Sequence, residues 1–180
     1  MGYTHSYGWE DRLPDTGQFA LWSADVTRLL ACYNENPPPN PWRDEPWFQK
    51  HPTLFGQWDT TICGPYGFDQ PLIRPDFVAF NGKRASENDC ESFLIDARDL
   101  AGRHFFSCKT WGHPYDLLIT ASLIRFEHYF PQIAIYCGGG VEGLDEGAEL
   151  CRKAFGVGRN PLRDPAYCRF VDSIFSARSA

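Results

Sequence analysis

The sequence has little that would place it in a membrane. Its longest apolar stretch, Leu117 to Ile124, is broken by Thr120 and Ser122. It falls far short of the ~20 residues that a helical span requires. The opening residues carry neither a basic segment nor an apolar one, so no secretory signal is expected. The expected location is the cytoplasm, with no membrane partner. Paired cysteine spacing is also missing. The cysteines at 32, 63, 90, 108, 137, 151 and 168 are odd in number and include no C-x-x-C pair, which argues against a disulfide framework and a cysteine-rich zinc site. Excess positive charge is absent as well. The net charge is −6, so a polyanion is repelled at long range and non-specific nucleic-acid binding is not expected. No P-loop pattern is present, and no cofactor is expected.

Aromatic residues, by contrast, make up 16% of the 180 residues, which suits one domain over 1–180 with a dense core. Residues 3–9 alternate as a strand would. Phe19, Trp22, Val26, Leu29, Leu30 and Tyr33 recur at three- and four-residue steps, which predicts a helix over 18–33. Pro37 follows and ends it. Residues 36–75 hold nine of the fourteen prolines together with many aromatics. That mixture predicts a long, ordered loop bordering a pocket or a subunit contact, so a homo-oligomer is left open. Strands are predicted at 76–80, 90–97 and 104–109, joined by short polar connectors as an antiparallel meander. Residues 114–130 are apolar nearly all round, which predicts a buried central helix. A strand at 132–137 and helices at about 142–155 and 166–177 complete an α+β fold: an antiparallel sheet packed on a buried central helix, with two or three further helices.

Four constellations bear on chemistry. In Phe106–Asp116 a strand ends and a buried helix begins. Helix starts present free N–H groups and partial positive charge to an anion, and Lys109 and Thr110 arrive there with a cation and a hydroxyl. Asp116 could equally cap those N–H groups itself. Gly138–Gly143 matches G-x-G-x-x-G in letters, but no strand with an acidic residue follows, and Glu142, Asp145 and Glu146 would repel a pyrophosphate. It reads as a strand-to-helix turn. His104, Cys108 and His113 are too few for a zinc site on their own. Cys108 beside Lys109 could be a nucleophile assisted by His113 or His5, or a plain buried cysteine. Tyr3-Thr4-His5 could reach one pocket, or form an edge strand with a core histidine.

Met1-Gly2-Tyr3-Thr4-His5, Phe80-Asn81-Gly82, the pair Glu91 and Phe93, and Cys108-Lys109-Thr110 followed by Pro114-Tyr115-Asp116 occur here in that order. In these blocks the chain resembles an uncharacterised family of small phage and bacterial proteins that begin MGYTHYW. The resemblance covers 1–9 and 76–130; Ser6, Tyr7 and Trp111-Gly112-His113 depart from the pattern. It implies a phage-related context and no activity. The candidate ligand-binding set is Tyr3, His5, Asn81, Lys109, Thr110, Tyr115 and Asp116. The function expected first is binding, or sequestration, of a small anionic metabolite such as a nucleotide-derived signal. The alternatives are a hydrolase acting on a nucleotide-like substrate through His5, Cys108 or Asp116, and a phage structural or host-interaction protein that uses the aromatic loop.

Overall fold

The computed structural model describes residues 3–13, 17–41, 43–44, 58–102 and 104–176. The chain is α+β, with four helices and two antiparallel sheets among the described residues. The first strand, β1 (Thr4–Trp9), turns His5, Tyr7 and Trp9 into the core, as its alternation predicts. Helix α1 (Gln18–Glu35) buries Phe19, Trp22, Val26, Leu29 and Tyr33 along one stripe and stops before Pro37. Four short strands follow: β2 (Ile62–Cys63), β3 (Leu72–Arg74), β4 (Phe77–Gly82) and β5 (Phe93–Asp96). Then come β6 (His104–Lys109), α2 (Asp116–Tyr129), β7 (Ala134–Cys137), α3 (Gly140–Phe155) and α4 (Pro165–Ser176).

The strands do not form one meander. β4 pairs with β2, β3 and β5 in one antiparallel sheet, and β6 leaves it to pair with β1 in the other, whose order is β6-β1-β7. The reason lies after β5. Asp96 and Asp99 form a reciprocal capping box on a 3-10 turn over Ala97–Ala101, which turns the chain away from β5. Trp9 Nε1 then donates to Gly102 O at 2.7 Å. The β1–β6 register sets Tyr7 against Phe106 and Trp9 against His104, and these rings pack at 5.5 and 5.8 Å between centroids. Cross-strand aromatic pairs of this kind hold a register that turn geometry alone does not.

Within the predicted 36–75 loop, residues 42 and 45–57 lie outside the described residues. Its described part contains β2 and β3, which lengthen β4's sheet, and Trp58 Nε1 donates to Pro38 O at 3.0 Å.

Helix α2 is the centre of the fold. Eight of its fourteen residues are buried, and it packs against α1, α3 and β7. Arg125 on α2 donates two hydrogen bonds, at 2.8 and 2.6 Å, to Asp25 on α1. Helix α4 covers β7 through Val171 and Ile174 around Ala134. No helix among the described residues is long and apolar enough to cross a membrane, and all seven cysteines are free.

Phe126 of α2 is fully buried and touches the rings of Trp9, Phe19, Trp22 and Phe130. Phe126→Ala should therefore destabilise the protein by about 3–5 kcal/mol, read as a lower urea midpoint with an unchanged slope. A loss under 1 kcal/mol would contradict this packing.

Candidate functional site

His5 is the innermost polar residue of β1. In the register of its sheet it lies opposite Cys108 on β6 and Cys137 on β7. Cross-strand partners share a face, so the three side chains form a row beneath the helices, where all three are buried. The loop from β6 brings Thr110 and Asp116 to the same place. Thr110 N donates to Tyr3 O at 2.9 Å, which pins that loop to the start of β1. His5 Nε2 donates to Asp116 Oδ1 at 2.6 Å, and the buried Thr110 hydroxyl donates to the same oxygen.

Burial acts against a charged imidazole, yet the hydrogen bond and charge of Asp116 and the neighbouring Cys137 sulfur outweigh it, so the His5 pKa rises to about 10. His5 and Asp116 are thus an imidazolium–carboxylate pair at neutral pH. The ring's other nitrogen, Nδ1, is buried with no hydrogen-bond partner among the described residues.

Asp116, but not the buried His5, lines a groove of about 1110 Å³, together with Tyr3, Gly112, His113, Gly139 and Gly143, the acidic face of α3, and Pro37–Pro39 and Trp58. Tyr3, 39% exposed, lays its ring across two glycine turns. A Cβ on Gly139 would stand 2.7 Å from that ring, and one on Gly112 2.9 Å. A shallower depression at Gly158–Pro165 has its polar groups engaged by the Arg159–Asp164 and Arg163–Asp145 ion pairs.

Of the residues singled out in the sequence, the structure brings Tyr3, His5, Thr110 and Asp116 together. It places the other three elsewhere. Asn81 is buried, accepts from Gly82 N at 2.8 Å and donates to Cys90 O at 3.3 Å, and so clasps the β4–β5 connection. Tyr115 is buried and donates to Glu91 O at 3.0 Å. Lys109 is half-buried with its Nζ 4.7 Å from the centroid of the exposed Trp111 ring, and it does not line the groove. Cys108 donates to Glu91 O at 3.3 Å, and burial pushes its pKa well up, which leaves it a poor nucleophile. His104 stacks on Phe106 and His113 on Tyr115, and no cluster of metal-binding side chains occurs among the described residues.

Sequence reading missed Cys137. A cysteine that ends an apolar strand directly before Gly138-Gly139-Gly140 was the available signal. Its sulfur lies against α3: a Cβ on Gly143 would stand 2.6 Å from Sγ.

The pair makes stability depend on pH. A histidine whose folded pKa is raised stabilises fully below its unfolded value of 6.5, and that contribution is lost as pH climbs toward about 10. Unfolding free energy should fall by about 1.4 kcal/mol per pH unit between roughly pH 7 and 8.5. His113, whose pKa burial lowers, acts below that window, and the cysteines and tyrosines act mainly above it. Urea titrations should show this slope in the native protein and a much smaller one in His5→Gln, where only the thiols of the unfolded chain contribute, toward the upper end of the window. A flat native profile would contradict the charged pair. No protein-family model, no curated protein and no solved structure matches this chain.

Proposed function

We propose that the groove ending on Asp116 binds a small, ring-bearing molecule that donates hydrogen bonds, of the kind a nucleoside or an aromatic amine presents. The observation that carries this reading is the second carboxylate oxygen of Asp116. His5 and Thr110 both bond Oδ1, so Oδ2 is free of protein donors among the described residues, on a side chain that lines the groove and is 20% exposed. A carboxylate oxygen held by two buried donors is a rigid acceptor for a ligand N–H or O–H. Tyr3, His113 and Trp58 supply ring faces along the same groove.

The sign of the lining charge bears on ligand class. Asp116, Glu142, Asp145, Glu146 and Glu149 face Arg152, Lys153 and Arg163, and Arg163 and Arg152 are paired to Asp145 and Glu149. An anion gains little there. The anionic-metabolite reading rests on Lys109, which stands outside the groove against Trp111. The nucleoside portion of a nucleotide-like ligand suits the lining better than its phosphate. A sequestering role in a phage context draws its support from the MGYTHYW resemblance alone.

Thermal melts with the common nucleosides, and separately with their 5′-monophosphates, test this reading. A nucleoside at about 100 times its Kd adds ~2.7 kcal/mol, an upward shift of several degrees in Tm for a chain of this size. Asp116→Asn should weaken that nucleoside by about ten- to a hundredfold, as loss of a charge-assisted hydrogen bond does. Stabilisation by monophosphates alone, abolished by Lys109→Ala, would contradict the proposal and favour an anion site. No shift with either series would also contradict it.

A further inference from the structure

We propose that Cys137, His5 and Asp116 form a thiol–imidazole–carboxylate triad that carries out acyl transfer, with Cys137 Sγ as the nucleophile and the start of α3 as the oxyanion-binding element. The site shares Asp116 with the groove but does not rest on the ligand proposed for it.

The geometry supplies each part. Cys137 is the last residue of β7 and faces His5 across the sheet. Its sulfur occupies the space a side chain at position 143 would need, which sets it under the first turn of α3. The first intrahelical bond there runs from Gly143 N to Gly139 O at 3.2 Å. The N–H groups of Gly140, Val141 and Glu142 therefore precede the helical ladder and are free of intrahelical acceptors. A helix start of this kind favours a thiolate and a developing oxyanion.

The independent observation is His5. It is fully buried, Nε2 is bonded to Asp116, and Nδ1 has no partner among the described residues. A buried polar nitrogen without a partner costs free energy, so its presence calls for an explanation. Cys137 is the other side chain that acts on this ring, so Nδ1 is the nitrogen left for the thiol. Cys108, the matching neighbour on β6, is excluded by its bond to Glu91 O.

The reaction is that of an ester or amide. Sγ attacks the carbonyl carbon while the thiol proton is held at His5 Nδ1. A C–S bond forms, and the carbonyl π pair moves onto oxygen toward the N–H groups of α3. Collapse breaks the C–O or C–N bond, and His5 returns the proton to the departing alkoxide or amine. Water then attacks the thioester, one of its protons passing to His5 Nδ1; the C–S bond breaks, the thiolate is restored beside the imidazolium, and the carboxylic acid leaves. Cys137 is only 2% exposed, and the Tyr3 ring covers Gly139 beside it. Displacing Tyr3 opens the groove onto the sulfur.

p-Nitrophenyl acetate, added to the full chain, tests this. Acid quench and peptide mass mapping should find the acetyl group on Cys137 ahead of the partly exposed Cys32, Cys90 and Cys168, with a matching burst of p-nitrophenolate. Tyr3→Ala should speed the burst several-fold, and His5→Gln should slow it by about a hundredfold or more. Burial alone orders the thiols the other way, with Cys137 among the last. Acetylation of the partly exposed cysteines with Cys137 unlabelled, in the native protein and in Tyr3→Ala, would overturn the triad whether or not His5→Gln folds. So would a complete absence of acylation, or equal rates in a folded His5→Gln. Nucleoside binding can fail while Cys137 labels first, and the reverse, so the two proposals separate.

Discussion

The bond between His5 and Asp116 closes the fold across 111 residues of sequence. It fastens the first strand to the first turn of the central helix. Two charges in this position are costly to desolvate, and removing one partner of such a pair leaves an uncompensated buried charge worth about 3–5 kcal/mol of destabilisation. The surrounding structure supports the carboxylate end of the pair. Thr110 adds a second donor to Asp116, and the backbone of Thr110 and Trp111 donates to Tyr3 O, so the β6–α2 loop cannot shift without disturbing both. An apolar pair would fill the space at less desolvation cost.

The aromatic core fixes where that pair can sit. Trp9, Phe19, Trp22, Phe126 and Phe130 pack in one block between β1 and the helices. With Trp9 anchored there, β1 has one register in which His5, four residues earlier, meets both Cys108 and Cys137. A slip by one residue would turn His5 to the outer face. The glycines at 112, 139 and 143 then let Tyr3 and the Cys137 sulfur approach the backbone turns closely. Core packing thus positions the polar row, and missing side chains admit the groups around it.

How much of this was legible in the sequence depended on range. The helices were legible because Phe19, Trp22, Val26, Leu29 and Tyr33 carry a local period, and because 114–130 is apolar all round. Helix α2 begins at Asp116 rather than Pro114, after a turn closed by Asp116 N to His113 O. Strand order was not legible. That β6 joins β1 and not β5 depends on aromatic pairs about a hundred residues apart and on the Asp96–Asp99 turn. The candidate site divides along the same line. Tyr3, His5, Thr110 and Asp116 are polar residues at element ends, and the fold gathers them. Asn81 and Tyr115 have the same look in sequence, but their polar atoms satisfy buried backbone groups, a demand visible only once the chain is packed. Cys137 looked like a small core residue because nothing local shows that β7 lies beside β1.

The fold and the site both depend on His5 being a buried imidazolium held by Asp116. Histidine ring ¹⁵N shifts of the native protein, followed from about pH 6 to pH 9, report its protonation. The His5 ring should keep both nitrogens protonated across that range, and Asp116→Asn should bring its titration down toward the ordinary value. A His5 ring that is neutral at pH 7.5 in the native protein, with one nitrogen free of hydrogen, would contradict it.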